Sequence, residues 1–343
     1  MVSRLAPAKI NLYLHVTGRR PDGFHLLDSL FAFADFGDSL EVGPGADDIH
    51  LSIDGPFAKG LPAAGDNLVV KAARAIADLA RERAIGTPPF SADIRLVKSL
   101  PVAAGIGGGS ADAAAALHAL NEFWDIGAGL DDLAALAATL GADIPACLHA
   151  MPVQASGIGE VLTPAVALPD CALILVNPGV PLLTPDVFRL FAARPVYSGA
   201  APLDHAPSTL DSLAEQLRAR RNDLQPAAEQ LVPAISAVLA RIGQSRGCAL
   251  SRLSGSGPTC FGLFPSLEEA DAAAAATAAA RPGWWVRSGR IRSGRDVDGA
   301  SRTAAPKHQP DAQPVFAATR CDLVQHRLCS KCRRDWQIQG CNQ

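Results

Sequence analysis

No apolar run in this 343-residue chain reaches the roughly 18 residues that a membrane-spanning helix requires, so no membrane association is expected. The most apolar stretch, Ala172 to Leu183, is short and is interrupted by Pro178 and Pro181. Lys9 and Asn11 stand where a secretion signal carries its apolar centre. No such signal is predicted, and the expected compartment is the cytoplasm. Charge is also scarce. Only 19% of residues are charged and 48% are hydrophobic, which excludes a chain too polar to bury a core. The 30 glycines and 26 prolines stay below the level of low-complexity sequence. A formal net charge of −3 does not fit a generic polyanion binder, so no specific nucleic-acid partner is expected. What remains is a globular chain long enough for about two domains.

The cysteines form two groups. Cys147, Cys171, Cys248 and Cys260 are scattered among apolar or small residues and read as reduced core thiols. Cys321, Cys329, Cys332 and Cys341 crowd the last stretch.

From Met1 to about Arg287 the patterning is that of α/β material. Leu12, Leu14 and Val16 alternate with Tyr13 and His15, which predicts a half-buried strand. Leu30 to Phe33 and Leu40 to Val42 predict two short strands, with Asp35 to Ser39 as the turn between them. Asp66 and Asn67 precede a helical pattern over Leu68 to Ala84. Ile94 to Val97 reads as a strand that leads into a glycine-rich turn and then an alanine-rich helix from Ser110 to Glu122. Leu130 to Leu140 is a further helix, stopped by Gly141. Ala172 to Val176 and Cys260 to Phe264 predict buried strands, and Leu224 to Ile242 and Leu267 to Ala280 predict helices. Early hairpin-like runs favour an α+β or mixed layered arrangement over a purely parallel sheet. A domain change is expected near residues 160–175, and Pro195 to Pro207 reads as a loose surface loop.

Four segments carry chemistry. The strongest is Pro101-Val-Ala-Ala-Gly105-Ile-Gly107-Gly108-Gly109-Ser110, between a strand and a helix. Glycines let backbone N–H groups converge on one point, and a helix start adds its positive dipole end, so the segment can seat a di- or triphosphate. A glycine-rich turn that only packs closely fits the same residues. No Lys-Ser/Thr pair follows, so this is not the common P-loop, and no suitably placed acid makes it a dinucleotide fingerprint. A second cluster, Ser254-Gly255-Ser256-Gly257-Pro258-Thr259, is either a flexible turn or the other side of a phosphate grip. Lys9, in Pro7 to Leu12, is either an ordinary edge charge or an ammonium aimed at a phosphate or a reacting hydroxyl. Asp143, after the helix stop at Gly141, is either a turn cap or a carboxylate able to take a proton from a hydroxyl.

These four pieces, in this order, resemble the GHMP kinase superfamily. Gly18 to His25, Asn177-Pro178-Gly179 and Arg221-Asn222-Asp223-Leu224 extend the resemblance over about residues 3–287. They narrow it to the branch that phosphorylates the 2-hydroxyl of 4-diphosphocytidyl-2-C-methyl-D-erythritol with ATP, a non-mevalonate step of isoprenoid precursor synthesis. The resemblance implies an α+β, two-domain fold. A ribosomal-protein-S5-like ATP-binding domain would span 1–165 and a ferredoxin-like domain 166–287, followed by an irregular tail over 288–343.

It further implies Asp143 as the catalytic base, with Lys9 beside it. Asn11, Phe24, His25, Thr184 and Phe188 would bind the substrate, with Phe24 and Phe188 stacking on cytosine from either side and His25 hydrogen-bonding it. The family often has Tyr where this chain has Phe24; stacking needs only the ring face and survives the change. Asn67 and Lys98 match positions near the adenine. Pro101, Val102, Ala103, Ala104, Gly105, Ile106, Gly107, Gly108, Gly109 and Ser110 match the phosphate loop, completed by Gly255, Ser256 and Gly257. Mg²⁺ is implied, held mainly by ATP rather than by a carboxylate cage. The implied partner is the small-molecule substrate, with the protein a monomer or homodimer. The alternatives are another GHMP small-alcohol kinase, acting on a sugar, homoserine or mevalonate, or a catalytically silent nucleotide-binding relative. Phe24, His25 and Phe188 speak against the first and the Lys9–Asp143 combination against the second.

From Ser288 onward ten Lys/Arg accompany five Asp/Glu, so this stretch carries +5 and the preceding body −8 of the net −3. It lacks sustained apolar periodicity and is expected to be disordered. It is rich in Arg and holds four of the eight cysteines, and the expectation is a frame-shifted or otherwise non-native extension such as GC-rich DNA would encode. Cys321, His326, Cys329 and Cys332 are zinc-ligand types, but no second matching pair accompanies Cys329-Ser-Lys-Cys332, and no metal site is expected.

Overall fold

The computed structural model describes residues 1–63, 65–85 and 90–292. Strand β1 (Val2–Arg19) pairs antiparallel along its length with β2 (His25–Gly43). On its other edge β2 pairs with β4 (Ala92–Val97) through Ser39 to Gly43, and with β5 (Val153–Gly157) through Leu27 to Phe31. β3 (Ile49–Asp54) extends this sheet beyond β4, and β6 (Val161–Pro164) extends it beyond β5. Helices α1 (Leu68–Glu82), α2 (Gly108–Phe123), α3 (Leu130–Leu140) and α4 (Ile144–His149) belong to the same half of the chain. α1 starts where Asn67 accepts a hydrogen bond from the Val69 amide, a cap worth about 1 kcal/mol. Its buried face, Val69, Ala72, Ala73, Ile76, Ala77 and Ala80, packs into a core with the small side chains of α2 and with Phe31 and Phe33 of β2.

The second sheet has the order β10 (Trp285–Arg290), β7 (Ala172–Asn177), β9 (Cys260–Phe264), β8 (Leu250–Leu253). Around it lie α5 (Thr184–Ala193), α6 (Leu210–Arg218), α7 (Gln225–Leu231), α8 (Ala234–Gly243) and α9 (Leu267–Ala280). β1 ties both halves together, because its side chains enter three hydrophobic clusters in turn. Ala6 joins the first, Ala8, Ile10, Leu12 and Tyr13 the second, and Leu14 and Val16 the third. Among the described residues no helix is long and apolar enough to cross a membrane.

Several expectations are corrected. β1 is buried on both faces at its centre, because Tyr13 and His15 are covered as fully as Leu12 and Leu14. The predicted turn at Asp35 to Ser39 lies inside the single strand β2. The polar run is a bulge: the register moves from Pro7↔Gly37 to Lys9↔Phe33, leaving extra residues of β2 opposite Ala8. Gly37 is needed there, since a Cβ would overlap the Ala6 carbonyl. The end of the second sheet returns to this bulge, where Ile291 bridges Ala34 and the Arg292 amide donates to Phe33 O. β10 therefore carries regular structure to Arg290, past the boundary expected at 287. The single helix expected over Leu224 to Ile242 is two, α7 and α8, because Pro233 has no amide to continue the first.

The stretch from Pro195 to Pro207 is not loose. Ser198 N donates to Val16 O, Ala201 N donates to the buried Asp28, and the Arg220 guanidinium holds the Ala201 carbonyl at 2.5 Å. Cys147, Cys171 and Cys260 are buried free thiols, whereas Cys248 is half-buried. The tail expectations beyond Arg292, including the Cys321, His326, Cys329 and Cys332 group, lie outside the described residues.

Candidate active site

Strand β4 delivers the chain into the glycine-rich loop, and α2 begins inside the glycine run, at Gly108. The loop is docked on β1, with the Lys9 amide donating to Ile106 O at 2.9 Å. The second glycine cluster presses against it from the other half. Thr259 N donates to Ala104 O at 3.2 Å, and the Ser254 hydroxyl donates to Gly105 O at 3.0 Å. Gly105 has φ +71, and a Cβ there would lie 2.5 Å from Ser254 O and 2.7 Å from Gly257 N. Backbone thus meets backbone with no room for a side chain.

The two loops, β1 and the start of α5 enclose one cavity of about 1270 Å³. Lys9, Asn11, Phe24, His25, Asn67, Lys98, Asp143, Thr184 and Phe188 all line it. So do Pro101, Val102, Ala103, Ala104, Gly105, Gly107, Gly108, Gly109, Ser110, Gly255 and Ser256. Two expected residues do not. Ile106 points into the core, 1% exposed, and Gly257 is spent on packing against Gly105.

Asp143 occupies the cap position of α4, yet its side chain makes no capping hydrogen bond. The carboxylate instead meets Lys9, with Oδ1 3.1 Å from Nζ. Lys9 is almost fully buried and its ammonium lies 3.7 Å from the centre of the Phe31 ring, while Asp143 is 41% exposed. A fixed cation therefore stands behind an accessible carboxylate. Asn11 is held through its amide, which donates to the Ser254 hydroxyl, and through Nδ2, which donates to the Ser29 hydroxyl at 2.9 Å. Thr184 Oγ1 lies 2.8 Å from Ser256 Oγ.

At the other end of the cavity, Phe188 stacks on His25 itself, with ring centroids 4.9 Å apart and an interplanar angle of 24°. The expected arrangement, with Phe24 and Phe188 as two walls of one slot, is not the one found. Phe24 is 57% exposed and His25 lies under Phe188. His25 Nε2 is buried without a hydrogen-bond partner. Burial, aided by the charge of Arg19, lowers the His25 pKa and favours the neutral ring. Asn67 uses both ends of its side chain on the protein, capping α1 and donating to Pro62 O. The Lys98 ammonium is engaged from below by Asp38 and Asp112 rather than projecting freely into the cavity.

Sequence reasoning missed Phe31, Ser29, Asp38 and Asp112. The one legible signal was Asp112, a lone acid in an otherwise alanine-rich helix. Among the described residues, no cluster of three or more His, Cys, Asp or Glu is placed to hold a metal ion.

Residues 67–151 match the family described as GHMP kinases N terminal domain, and residues 204–281 match GHMP kinases C terminal. A curated relative from Paramagnetospirillum magneticum (strain ATCC 700264 / AMB-1), named 4-diphosphocytidyl-2-C-methyl-D-erythritol kinase, is 50% identical over 288 residues. The match covers 84% of this chain and 98% of the relative. The chain belongs to the GHMP kinase family. The crystal structure of a 4-(cytidine 5'-diphospho)-2C-methyl-D-erythritol kinase is 34% identical with a TM-score of 0.68, covering 85% of this chain and 100% of that one. A homoserine kinase from Cytophaga hutchinsonii, 18% identical with a TM-score of 0.61, covers 84% of this chain and 94% of its own and shares the fold. In this GHMP kinase the glycine-rich loop, Lys9 and Asp143 all fall at one end of the cavity, and the His25–Phe188 stack falls at the other.

Proposed function

We propose that this chain transfers the γ-phosphoryl group of ATP to the 2-hydroxyl of 4-diphosphocytidyl-2-C-methyl-D-erythritol, a free small molecule of the cytoplasm, giving the 2-phosphate and ADP. The observation that carries this reading is the Lys9–Asp143 pair, 3.1 Å apart, in the same cavity as the glycine loop and the ring stack. Residues 1–165 would supply the nucleotide seat and 166–287 the second wall, Thr184, Phe188, Gly255 and Ser256.

Each group has a physical task. Backbone amides at the start of α2, with the helix dipole behind them, hold the phosphates. Asp143 accepts the proton of the attacking hydroxyl as the new O–P bond forms and the bond to the ADP oxygen breaks. Lys9 is held rigidly and faces the charge that develops, so little reorganisation is needed during transfer. Ser110 lines the cavity beside the glycine loop, and its hydroxyl would be a suitable hard ligand for an Mg²⁺ ion that keeps most of its ligands on phosphate and water, leaving Asp143 free as the base. When bound, Mg²⁺ would neutralise charge on the transferring group. The unpartnered Nε2 of His25 supports recognition of a base edge, and the exposed ring of Phe24 offers a face on which the base can stack. The same groups favour a cytidyl alcohol over a small alcohol that carries no base.

Phosphorus NMR of the protein with Mg-ATP and the cytidyl alcohol tests this reading. A new phosphomonoester signal is expected with wild type, and a rate lower by about 10²–10⁴ with Asp143→Asn. Turnover with homoserine or mevalonate but not with the cytidyl alcohol would replace the assignment.

A further inference from the structure

Two carboxylates and an ammonium are buried together beneath the glycine loop, and the chemistry above uses none of them. Asp38, in β2, is fully buried. Its Oδ1 accepts from the amides of Ser99 at 2.6 Å and Leu100 at 2.8 Å, the residues that lead from β4 into the loop. Its Oδ2 accepts from Lys98 Nζ at 2.5 Å. The same ammonium donates to Asp112 Oδ2 at 2.6 Å, in the first two turns of α2. Asp112 Oδ1 is buried without a partner. The ammonium lies directly under the helix start, since a Cβ on Gly108 would be 3.4 Å from it.

Burying an ammonium with two carboxyl groups is expensive, burial pushing the Asp112 carboxyl up to about 7, and replacing such a group by apolar side chains often costs nothing in stability. Stability alone therefore does not account for it. What the cluster does is geometric. It joins β2, the end of β4 and the start of α2 at one point, immediately below the amides that face the cavity. Burial alone would lower the Lys98 pKa, but the charges of Asp112 and Asp38 outweigh it and hold the amine protonated. Two of the three N–H bonds of the amine are committed to these carboxylates.

We propose that Lys98, clamped between Asp38 and Asp112, is a positioning residue that fixes the aim of the loop amides at residues 107–110 toward the nucleotide's phosphates, and that it does not act by touching the base. The proposal rests on the assignment of ATP to this loop. It makes the charge-bearing cluster part of the phosphate grip, acting through the backbone of the loop even though Lys98 and Asp112 also line the cavity.

A pair of probes separates the two roles of Lys98. Binding of Mg-bound non-hydrolysable ATP analogue and of inorganic tripolyphosphate is measured calorimetrically on the full chain, for wild type, Lys98→Met and Asp38→Asn. Thermal melts verify folding. Both probes are expected to lose affinity in step by about tenfold or more in both variants, equivalent to about 1.4 kcal/mol. In turnover, KM for ATP should rise while KM for the cytidyl alcohol stays put. Loss of folded protein alone would lower kcat and move neither KM. If Lys98→Met weakens the nucleotide analogue but leaves tripolyphosphate binding intact, Lys98 acts on the base and the proposal is overturned. Unchanged binding of both probes overturns it as well. Should Lys98→Met not fold, Asp38→Asn, which keeps the side-chain volume, decides by the same criteria. Failure of wild type to bind either probe overturns the ATP assignment, and the proposal with it.

Discussion

The two ends of the cavity are built from different materials. At the end we assign to phosphate, the lining is glycine-rich loop backbone, locked by contacts in which backbone meets backbone, as at Gly105 against Ser254 and Gly257. The side chains that hold this end, Asp38, Lys98, Asp112 and Lys9, are buried and paired. At the far end the ligand-facing groups are side chains, and they are loosely committed. Phe24 is largely exposed, His25 is only partly covered, and Phe188 rests on His25. A triphosphate presents the same charge to every kinase, so a rigid seat suits it. A base is recognised by its faces and edge, and rings that can part to admit it suit that task. The contrast predicts that substitutions will be costly at one end and selective at the other.

The largest effect is expected from Gly105→Ala. A positive φ costs an alanine about 1–2 kcal/mol. The overlap with Ser254 O and Gly257 N adds about 1–3 kcal/mol more, because backbone on both sides must shift. Denaturant unfolding should show a loss of about 2–5 kcal/mol, and affinity for an ATP analogue should fall in the folded fraction. A variant with wild-type stability and wild-type ATP affinity would mean that the phosphate end is as adaptable as the other.

What could be read from the sequence divides along similar lines. α3, α9 and β9 lie at their expected bounds, because their signals are local: a glycine stop after Leu140, an apolar run, an alanine-rich pattern. β2 was split in two because Asp35 to Ser39 has the composition of a turn. What keeps it a strand is pairing with β1 and the return of Ile291, which no local pattern contains. The glycine loop, Lys9 and Asp143 stand out in the sequence by residue type, and the structure brings them to one cavity. Which members of a glycine run line that cavity is not legible. Ile106 and Gly257 sit in the middle of their motifs yet turn away, because the packing of one loop on the other decides the direction. The partners of Lys98 were hidden for the same reason. Asp38 looked like a turn residue, and only the sheet brings it under α2.

A smaller but more selective effect is expected from His25→Ala. Losing one hydrogen bond and one ring contact costs about 1–3 kcal/mol, or about 5–150-fold in kcat/KM for the cytidyl alcohol, with KM for ATP unchanged. An equal rise in both KM values would dissolve the distinction between the two ends. The pH dependence sharpens it. Burial first, and Arg19 second, lower the His25 pKa below its ordinary 6.5. Between the lowered value and 6.5 the unfolded chain binds more protons at this site than the folded one. The contribution of neutral His25 is therefore complete above pH 6.5 and is lost as pH falls through the folded value. Stability should fall on acidification in that window, whereas KM for the cytidyl alcohol should rise only as pH falls through the lowered folded value, and the component due to this ring should vanish in His25→Ala.

The smallest effect is expected from Phe24→Tyr. The ring is 57% exposed, so a hydroxyl at its tip can reach water and displaces no packing. Stability should stay within about 0.5 kcal/mol. Stacking uses the ring face, which the change leaves intact, so KM for the cytidyl alcohol should move by no more than about threefold, the scale of one weak hydrogen bond. Steady-state kinetics beside a thermal melt measure both. A tenfold drop in KM would show that the hydroxyl finds a fixed partner on the substrate, which an adaptable end of the cavity does not provide. Near-neutrality here, set against the cost at Gly105, is the behaviour expected if the phosphate seat tolerates no added atom while the aromatic end accommodates one.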